Sequence, residues 1–324
     1  VTVLQPVEVL TFGETMGSIR TPRPLRMGGA MSMSLGGAET NVAIGLSRLG
    51  HTVRWAGRVG DDGIGAFAVR TLRAEAVLTD AVTVDTTRPT GMMLLESHGM
   101  GFSRVAYYRA ASAGSALRTE DLSTALEAGA RILHLTGITP ALSPGAAEAA
   151  LAAATRARAA GILVSFDVNY RSTLWSEEHA AAVLSGLAAQ ADVVVASEDE
   201  LRLVCPADLG EDDAVRHLGG LGVRDVVVKR GGKGATAWSF GQGDTASTEH
   251  RDALDVPVID TVGAGDAFSA GYLSATLDGL PLGQRLERGV ALGAFAVADA
   301  TDWEGLPTRQ DLALIGLPAG TTIR

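Results

Sequence analysis

Cysteine is almost missing from this chain. Cys205 stands alone among 324 residues, which excludes an intramolecular disulfide and, with no Cys/His cluster at ligand spacing, a structural zinc site. An excess of positive charge is missing too: 27 Lys and Arg against 37 Asp and Glu leave a formal net charge of −10. Such a field attracts neither nucleic acid nor an anionic membrane surface, and an anionic small substrate would need its own local cations. No apolar run is long enough to span a membrane; VLSGLAAQADVVVAS, for instance, is broken by Gln190 and Asp192. The first residues lack the basic stretch followed by an apolar one that marks a secretory leader. Fixed-period repeats, low-complexity tracts and an interdomain linker are absent as well. These absences predict one large domain working in a reducing cytoplasm.

What is present is an α/β rhythm. With 46% hydrophobic residues the chain can bury a large core. Short β-branched runs (VEVLTFG, RILHLTG, ILVSFDVN, ADVVVAS and RDVVVKRG) alternate with Ala-rich stretches of helix length. Strands that are apolar throughout and separated by helices predict a mainly parallel sheet covered on both faces. Two regions break the rhythm, about 15–35 and 90–109, where short alternating strands carry turn residues and no helix. They are expected to pair as a small inserted sheet, a lid over the ligand crevice.

Open parallel sheets bind ligands at the carboxyl ends of their strands, so the loops there are the places to search. DTVGAGDAFSAG, Asp260 to Gly271, runs three small residues into an acid and then a helix. Side-chain-free backbone at Gly263, Ala264 and Gly265 lets successive N–H groups converge where a helix N-terminus adds partial positive charge, a nest for phosphate. Asp266 beside such a cradle reads as a base, or more simply as an acid helping to cap a helix. GGAETNVAIGLSRLG places Gly36, Gly37 and Asn41 where amides and a carboxamide could hold a polyol, unless it is an ordinary capped helix. FDVNYRSTLW ends a buried strand in Asp167, Asn169 and Arg171. ASEDEL offers Ser197 and Glu200 to a hydrated cation, although Ser followed by Glu three later is equally a capping box. VVVKRGGKGA carries Lys229, Gly231 and Gly234 in a basic turn that could follow a nucleotide's phosphates or merely close a hairpin.

In this order the stretches are far more specific than any one of them. From about Gly13 to Leu314 the chain resembles the ribokinase-like (PfkB) carbohydrate kinases, GGAETNVA matching that family's N-terminal signature and DTVGAGD its C-terminal one. The resemblance implies a three-layer α/β sandwich with a mainly parallel central sheet and a small β lid, and transfer of phosphate from ATP to a sugar hydroxyl. It implies Asp266 as base and Gly263 to Gly265 as anion hole. Gly36, Gly37, Asn41, Tyr107, Arg109, Arg171 and Asp302 would face the sugar. Asn169, Arg171, Ser197, Lys229, Gly231 and Gly234 would face ATP. Mg²⁺ would be held mostly by phosphates and water with Glu200 acting indirectly, and a monovalent cation, K⁺, would lie near Asp260 and Val262. RVAYYRAASAGSAL, HLTGITPALSP, DVNYRSTLW and EGLPT are most similar to members acting on 2-keto-3-deoxygluconate, an acid sugar, and DVNYRSTLW is shared with fructokinases. Fructose, ribose or a nucleoside as substrate, or a regulatory protein without turnover, are the other readings. Homo-oligomers through the lid are a further implication.

The chain departs from the pattern at two places. Ser197 stands where the family usually has Asn, and ATD (Ala300 to Asp302) replaces a basic-Gly-Asp triplet. Alternation along the lid strand predicts that Tyr107 and Arg109 share a face while Tyr108 serves in packing. Trp175, Met92 and Met93 read as core or lid packing, Cys205 as a semi-buried thiol, and the six histidines as belonging to no triad or metal set.

Overall fold

The computed structural model describes residues 4–98, 103–241 and 246–315. Its strands are β1 (Val7–Phe12), β2 (Met16–Thr21), β3 (Ser32–Gly36), β4 (Val53–Gly60), β5 (Leu78–Asp85), β6 (Gly91–Ser97), β7 (Ser103–Tyr108), β8 (Ala130–Thr136), β9 (Leu163–Asp167), β10 (Val193–Ser197), β11 (Asp225–Lys229), β12 (Ala235–Phe240) and β13 (Ala246–Arg251). The helices are α1 (Ala38–Arg48), α2 (Gly63–Ala74), α3 (Thr119–Ala128), α4 (Ile138–Ala141), α5 (Pro144–Ala159), α6 (Glu177–Ala188), α7 (Glu211–Gly220), α8 (Ala264–Leu277) and α9 (Leu282–Val297).

Nine strands form the central sheet in the order β13-β12-β11-β10-β9-β8-β1-β4-β5. The pairs from β11 through β5 are parallel, while β12 and β13 close one edge antiparallel. Side-chain alternation distributes each strand between two cores. Val194, Ala196, Val226 and Val228 face the layer of α3, α5, α6 and α7. Val193, Val195 and Val227 face Phe268 and Tyr272 of α8 and Leu286 of α9. Helix α5 shows the local logic: Ser143 caps it by accepting from Ala146 N–H, Pro144 opens it, and Ala146, Ala149, Ala150, Ala153, Ala154 and Ala157 form its buried stripe.

The connections from β1 run to one side of the sheet, through β4 and β5, and those from β8 to the other. That reversal opens a crevice outside the carboxyl ends of β1 and β8. Above it lies a second sheet, β3-β2-β6-β7, with Met16, Met93 and Leu95 packed on its inner side.

Candidate active site

Asp266 sits in the first turn of α8, 8% exposed. The turn begins at Gly263, whose φ of 78° is a left-handed conformation open to glycine, and a Cβ there would run into the Asp302 carbonyl. No side chain caps this helix, so the first-turn N–H groups point outward beside Asp266. Its carboxylate is held between two amides: Asn41 Nδ2 donates to Oδ2 at 2.8 Å and Asn169 Nδ2 to Oδ1 at 3.3 Å. Asn169 reaches this position with φ 38°, an uncommon value for a residue with a side chain. Burial is the main cause raising the Asp266 pKa above the usual carboxylate range; the Asn41 hydrogen bond opposes it, as do the positive charges of Arg171 and Lys229. A carboxyl raised in this way is a better proton acceptor than an exposed one.

On one side of Asp266 a cleft is lined by the polar groups of Glu14, Asn41, Tyr107, Arg109, Arg171 and Asp302, by Gly37 and Gly263, and by apolar side chains that include Met16, Met93, Ile138 and Leu174. Gly37 brings the α1 N-terminus close against β1's exit, where a Cβ would lie 2.6 Å from the Glu14 carbonyl oxygen and 2.7 Å from Thr40 Oγ1. Gly36 borders Asp302, whose Oδ2 would lie 3.3 Å from a Cβ built at that glycine. Asp302 itself is 4% exposed, and burial, only partly offset by Arg20, pushes its pKa up to about 6. Arg109 Nε donates to Glu14 Oε2 at 2.7 Å, and Ser112 also donates to that buried carboxylate. The Arg109 guanidinium stacks 5.7 Å from the centre of the Tyr107 ring. Arg171, in contrast, is exposed and makes only a long contact of 3.5 Å with the Tyr170 carbonyl. Among the described residues it forms no salt bridge, whereas Arg109 is paired with Glu14.

On the other side lies a cavity of about 350 Å³. Lys229, Gly231, Gly232, Gly234 and Gly265 form its polar end, and Leu254, Val256, Val258, Phe268, Val290 and Val297 its apolar one. Lys229 is anchored by Asp167, with Nζ 2.9 and 2.8 Å from the two carboxylate oxygens, and Ser269 also donates to Asp167. A Cβ on Gly265 would stand 3.3 Å from Lys229 Nζ. The ammonium therefore faces the bare first turn of α8, and Gly231 to Gly234 turn between β11 and β12 as a hairpin that also borders the cavity.

The crevice thus brings together Asp266, Gly263 to Gly265, Gly36, Gly37, Asn41, Asn169, Arg171 and Asp302. Glu200 and Ser197 stand at the edge: Glu200 accepts from Tyr170 N–H at 2.7 Å and from Ser197 N–H at 2.8 Å, tying the loop after β9 to the end of β10, while the Ser197 hydroxyl turns to Asp199. Among the described residues no group of three or more His, Cys, Asp or Glu is placed to hold a metal. Asp260 accepts from Val262 N–H at 3.1 Å and from Arg20 at 2.9 Å. One expectation is corrected. Tyr108 pairs with Met92 on the face of the second sheet turned away from the crevice and is 60% exposed, because alternation that points Tyr107 inward points its neighbour out. Trp175 and Met93 are buried as predicted, and burial raises the Cys205 thiol to about 11, an unreactive value. Sequence reasoning missed Glu14 and Arg20. Glu14 had a signal, since it follows a strand's carboxyl end; Arg20 had none.

Comparison with known proteins gives the same picture. A model described as pfkB family carbohydrate kinase matches residues 8–309. A 2-dehydro-3-deoxygluconokinase of Bacillus subtilis (strain 168) is 35% identical over 311 residues, 95% of this chain and 94% of its own. The crystal structure of a PfkB protein from Polaromonas sp. JS666 superposes with a TM-score of 0.84 at 36% identity, covering 95% of this chain and 99% of that one. A fructokinase with bound ATP from Xylella fastidiosa superposes at 0.83 with 25% identity, covering 95% and 97%. The signatures at both ends of the chain, the carboxylate between two cavities and these similarities have one explanation: the chain belongs to the pfkB family of carbohydrate kinases.

Proposed function

We propose that this kinase transfers the terminal phosphate of ATP to 2-keto-3-deoxygluconate, forming its 6-phosphate. The observation that carries the reading is the position of Asp266 and the bare Gly263–Gly265 turn between a cleft bordered by Arg171, which forms no salt bridge among the described residues, and a cavity with an apolar floor. The adenine end of ATP suits Leu254, Val256 and Phe268, and its phosphates suit Lys229 and the α8 amides. The sugar suits the cleft, with Asp302, Gly36, Gly37 and Asn41 along its hydroxyls and Arg171 at its carboxylate. A sugar hydroxyl is too weak an acid to be deprotonated beforehand, so Asp266 orients it and takes its proton late in a loose transition state. The α8 amides and Lys229 stabilise charge on the moving phosphate. Arg109, balanced by Glu14, fixes the lid strand and Tyr107 and is the second candidate for the carboxylate. Mg²⁺, supplied with ATP, neutralises phosphate charge; the two Glu200 oxygens, each with one backbone donor, keep lone pairs for its waters.

Fructose is the neutral-sugar alternative, because the base and anion hole would serve it equally. A coupled ADP-release assay over acid and neutral sugars tests the proposal. Turnover greatest with 2-keto-3-deoxygluconate supports it, a preference for fructose or ribose replaces the substrate, and no ADP release with any sugar would favour a binding protein. The outward face of the second sheet presents Met33 and Tyr108, 46% and 60% exposed, and we read it as the surface where two copies meet. A monomer by sedimentation would contradict that reading.

A further inference from the structure

Arg20 is the feature that the kinase reading leaves unused. It projects from β2 of the second sheet, on the face that carries Ser32, Leu95 and the cleft. Its guanidinium spans two acids distant in sequence, donating from Nη1 to Asp260 Oδ2 at 2.9 Å and from Nη2 to Asp302 Oδ1 at 2.6 Å. The side chains of Arg20 and Asp302 are 18% and 5% exposed, so the pair is largely withdrawn from water.

Both acids bear on the anion hole. Asp260 opens DTVGAGD and fixes the next turn through Val262 N–H. Asp302 lines the cleft, and its backbone carbonyl packs against Gly263, the residue that starts α8. Asp260, Asp302 and Asp266 put three carboxylates around a place that must accept phosphate, and without a counter-charge they would oppose it. A free K⁺ ion near Asp260 would supply one. The residues present do not suit that ion: both Asp260 oxygens already have donors, and the guanidinium places a full positive charge where a second cation would be repelled.

We propose that Arg20 is the built-in cation of the anion hole: a positioning residue that pairs with Asp260 and Asp302 and offsets one of their two negative charges, holds their two segments together at Gly263, and makes turnover independent of monovalent cations. A guanidinium suits this task because its planar fork engages two carboxylates at once and it never loses its charge. Arg20 also ties the second sheet to the phosphate end of the crevice, so seating of that sheet and completion of the anion hole become one event.

The inference rests on the kinase reading, and its test separates the two. Initial rates of ADP release are measured at fixed Mg²⁺ and ionic strength in potassium, sodium and tetramethylammonium chloride. Wild-type enzyme should turn over equally in all three. Arg20→Ala should lose roughly 10- to 150-fold in kcat, the worth of a charged hydrogen bond, and regain part of it saturably with K⁺ or guanidinium ion. A purely structural role would not create that cation dependence. Arg20→Lys, which keeps one charge, should stay cation-independent at reduced kcat, and it serves if the alanine protein does not fold. Activation of wild-type enzyme by K⁺ overturns the inference, as does a folded Arg20→Ala protein that is fully active or impaired without any response to cations. Absence of ADP release from the wild type in every salt would instead defeat the kinase reading.

Discussion

Replacing Asp266 by Asn isolates the base from everything else the site does. The carboxamide has the shape of the carboxylate but accepts no proton. Its fit can be worked out from the surroundings. Asn169 Nδ2 can keep donating to the remaining carbonyl oxygen, while the new NH₂ group would confront Asn41 Nδ2, which now donates to Oδ2. Asn41 Oδ1 is buried without a hydrogen-bond partner. A half-turn of the Asn41 amide would therefore present an acceptor to the new donor, leaving one unpaired buried polar atom in the variant as in the wild type. Fold and ligand binding should survive, and ATP should bind no more weakly, since a negative charge near its phosphates has been removed. General-base groups contribute on the order of 10² to 10⁴-fold, or about 3 to 5 kcal/mol of barrier. Calorimetric titration should show both ligands still binding while kcat, followed by coupled ADP release, falls by that factor. Retention of more than about a tenth of the wild-type kcat would refute the assignment of Asp266 as base on this scale.

Two further perturbations probe the cradle and its support. Gly265→Val places branched carbon against Lys229 Nζ, which already stands 3.3 Å from a single Cβ; activity should vanish with the melting temperature little changed, and wild-type turnover in the folded variant would contradict the phosphate assignment. Glu39 is 1% exposed, accepts from Thr136 at 2.8 Å and Thr139 at 2.7 Å, and burial above all pushes its pKa up from 4.5 to about 7. The folded form thus holds this proton more tightly than the unfolded one, so its contribution to stability is complete below pH 4.5 and is lost as pH rises through about 7. The change amounts to about 3 kcal/mol, and denaturant melts at pH 5 and 8 should show wild-type stability falling across that interval and Glu39→Gln falling distinctly less. Parallel pH profiles for the two proteins would contradict it.

Much of this site was legible because its chemistry is local in sequence. The Gly263–Gly265 turn, Asp266, Asn41 and Asn169 each announce themselves through small residues or amides at the mouth of a helix or the end of an apolar strand. The alternation that put Tyr107 and Arg109 on one face and Tyr108 on the other was also readable; what it could not show is that the Tyr108 side of the sheet is exposed in this chain. Pairings across the chain were not legible. Arg20 meets partners 240 and 282 residues away, and Arg109 meets Glu14 across 95. No local pattern distinguishes those arginines from solvated ones, and only the fold shows that Arg109 is matched by a carboxylate while Arg171 has no salt bridge among the described residues. The Ser197–Glu200 spacing carried two meanings; Glu200 does accept from Ser197 N–H, but Ser197 ends a strand and its hydroxyl turns to Asp199, so the reciprocal capping box does not form.

Recognition of an acid sugar by Arg171, beside the base and the anion hole, is the central claim, and the most direct measurement is kcat/KM for 2-keto-3-deoxygluconate and for fructose in wild-type and Arg171→Ala enzyme. A charged hydrogen bond to the sugar carboxylate contributes roughly 1.5 to 3 kcal/mol, so the variant should lose roughly 10- to 150-fold on the acid sugar. Its slow turnover of fructose should change far less. Equal losses on both sugars would assign Arg171 to the phosphates common to both reactions, and a wild-type enzyme that prefers fructose would contradict the claim outright.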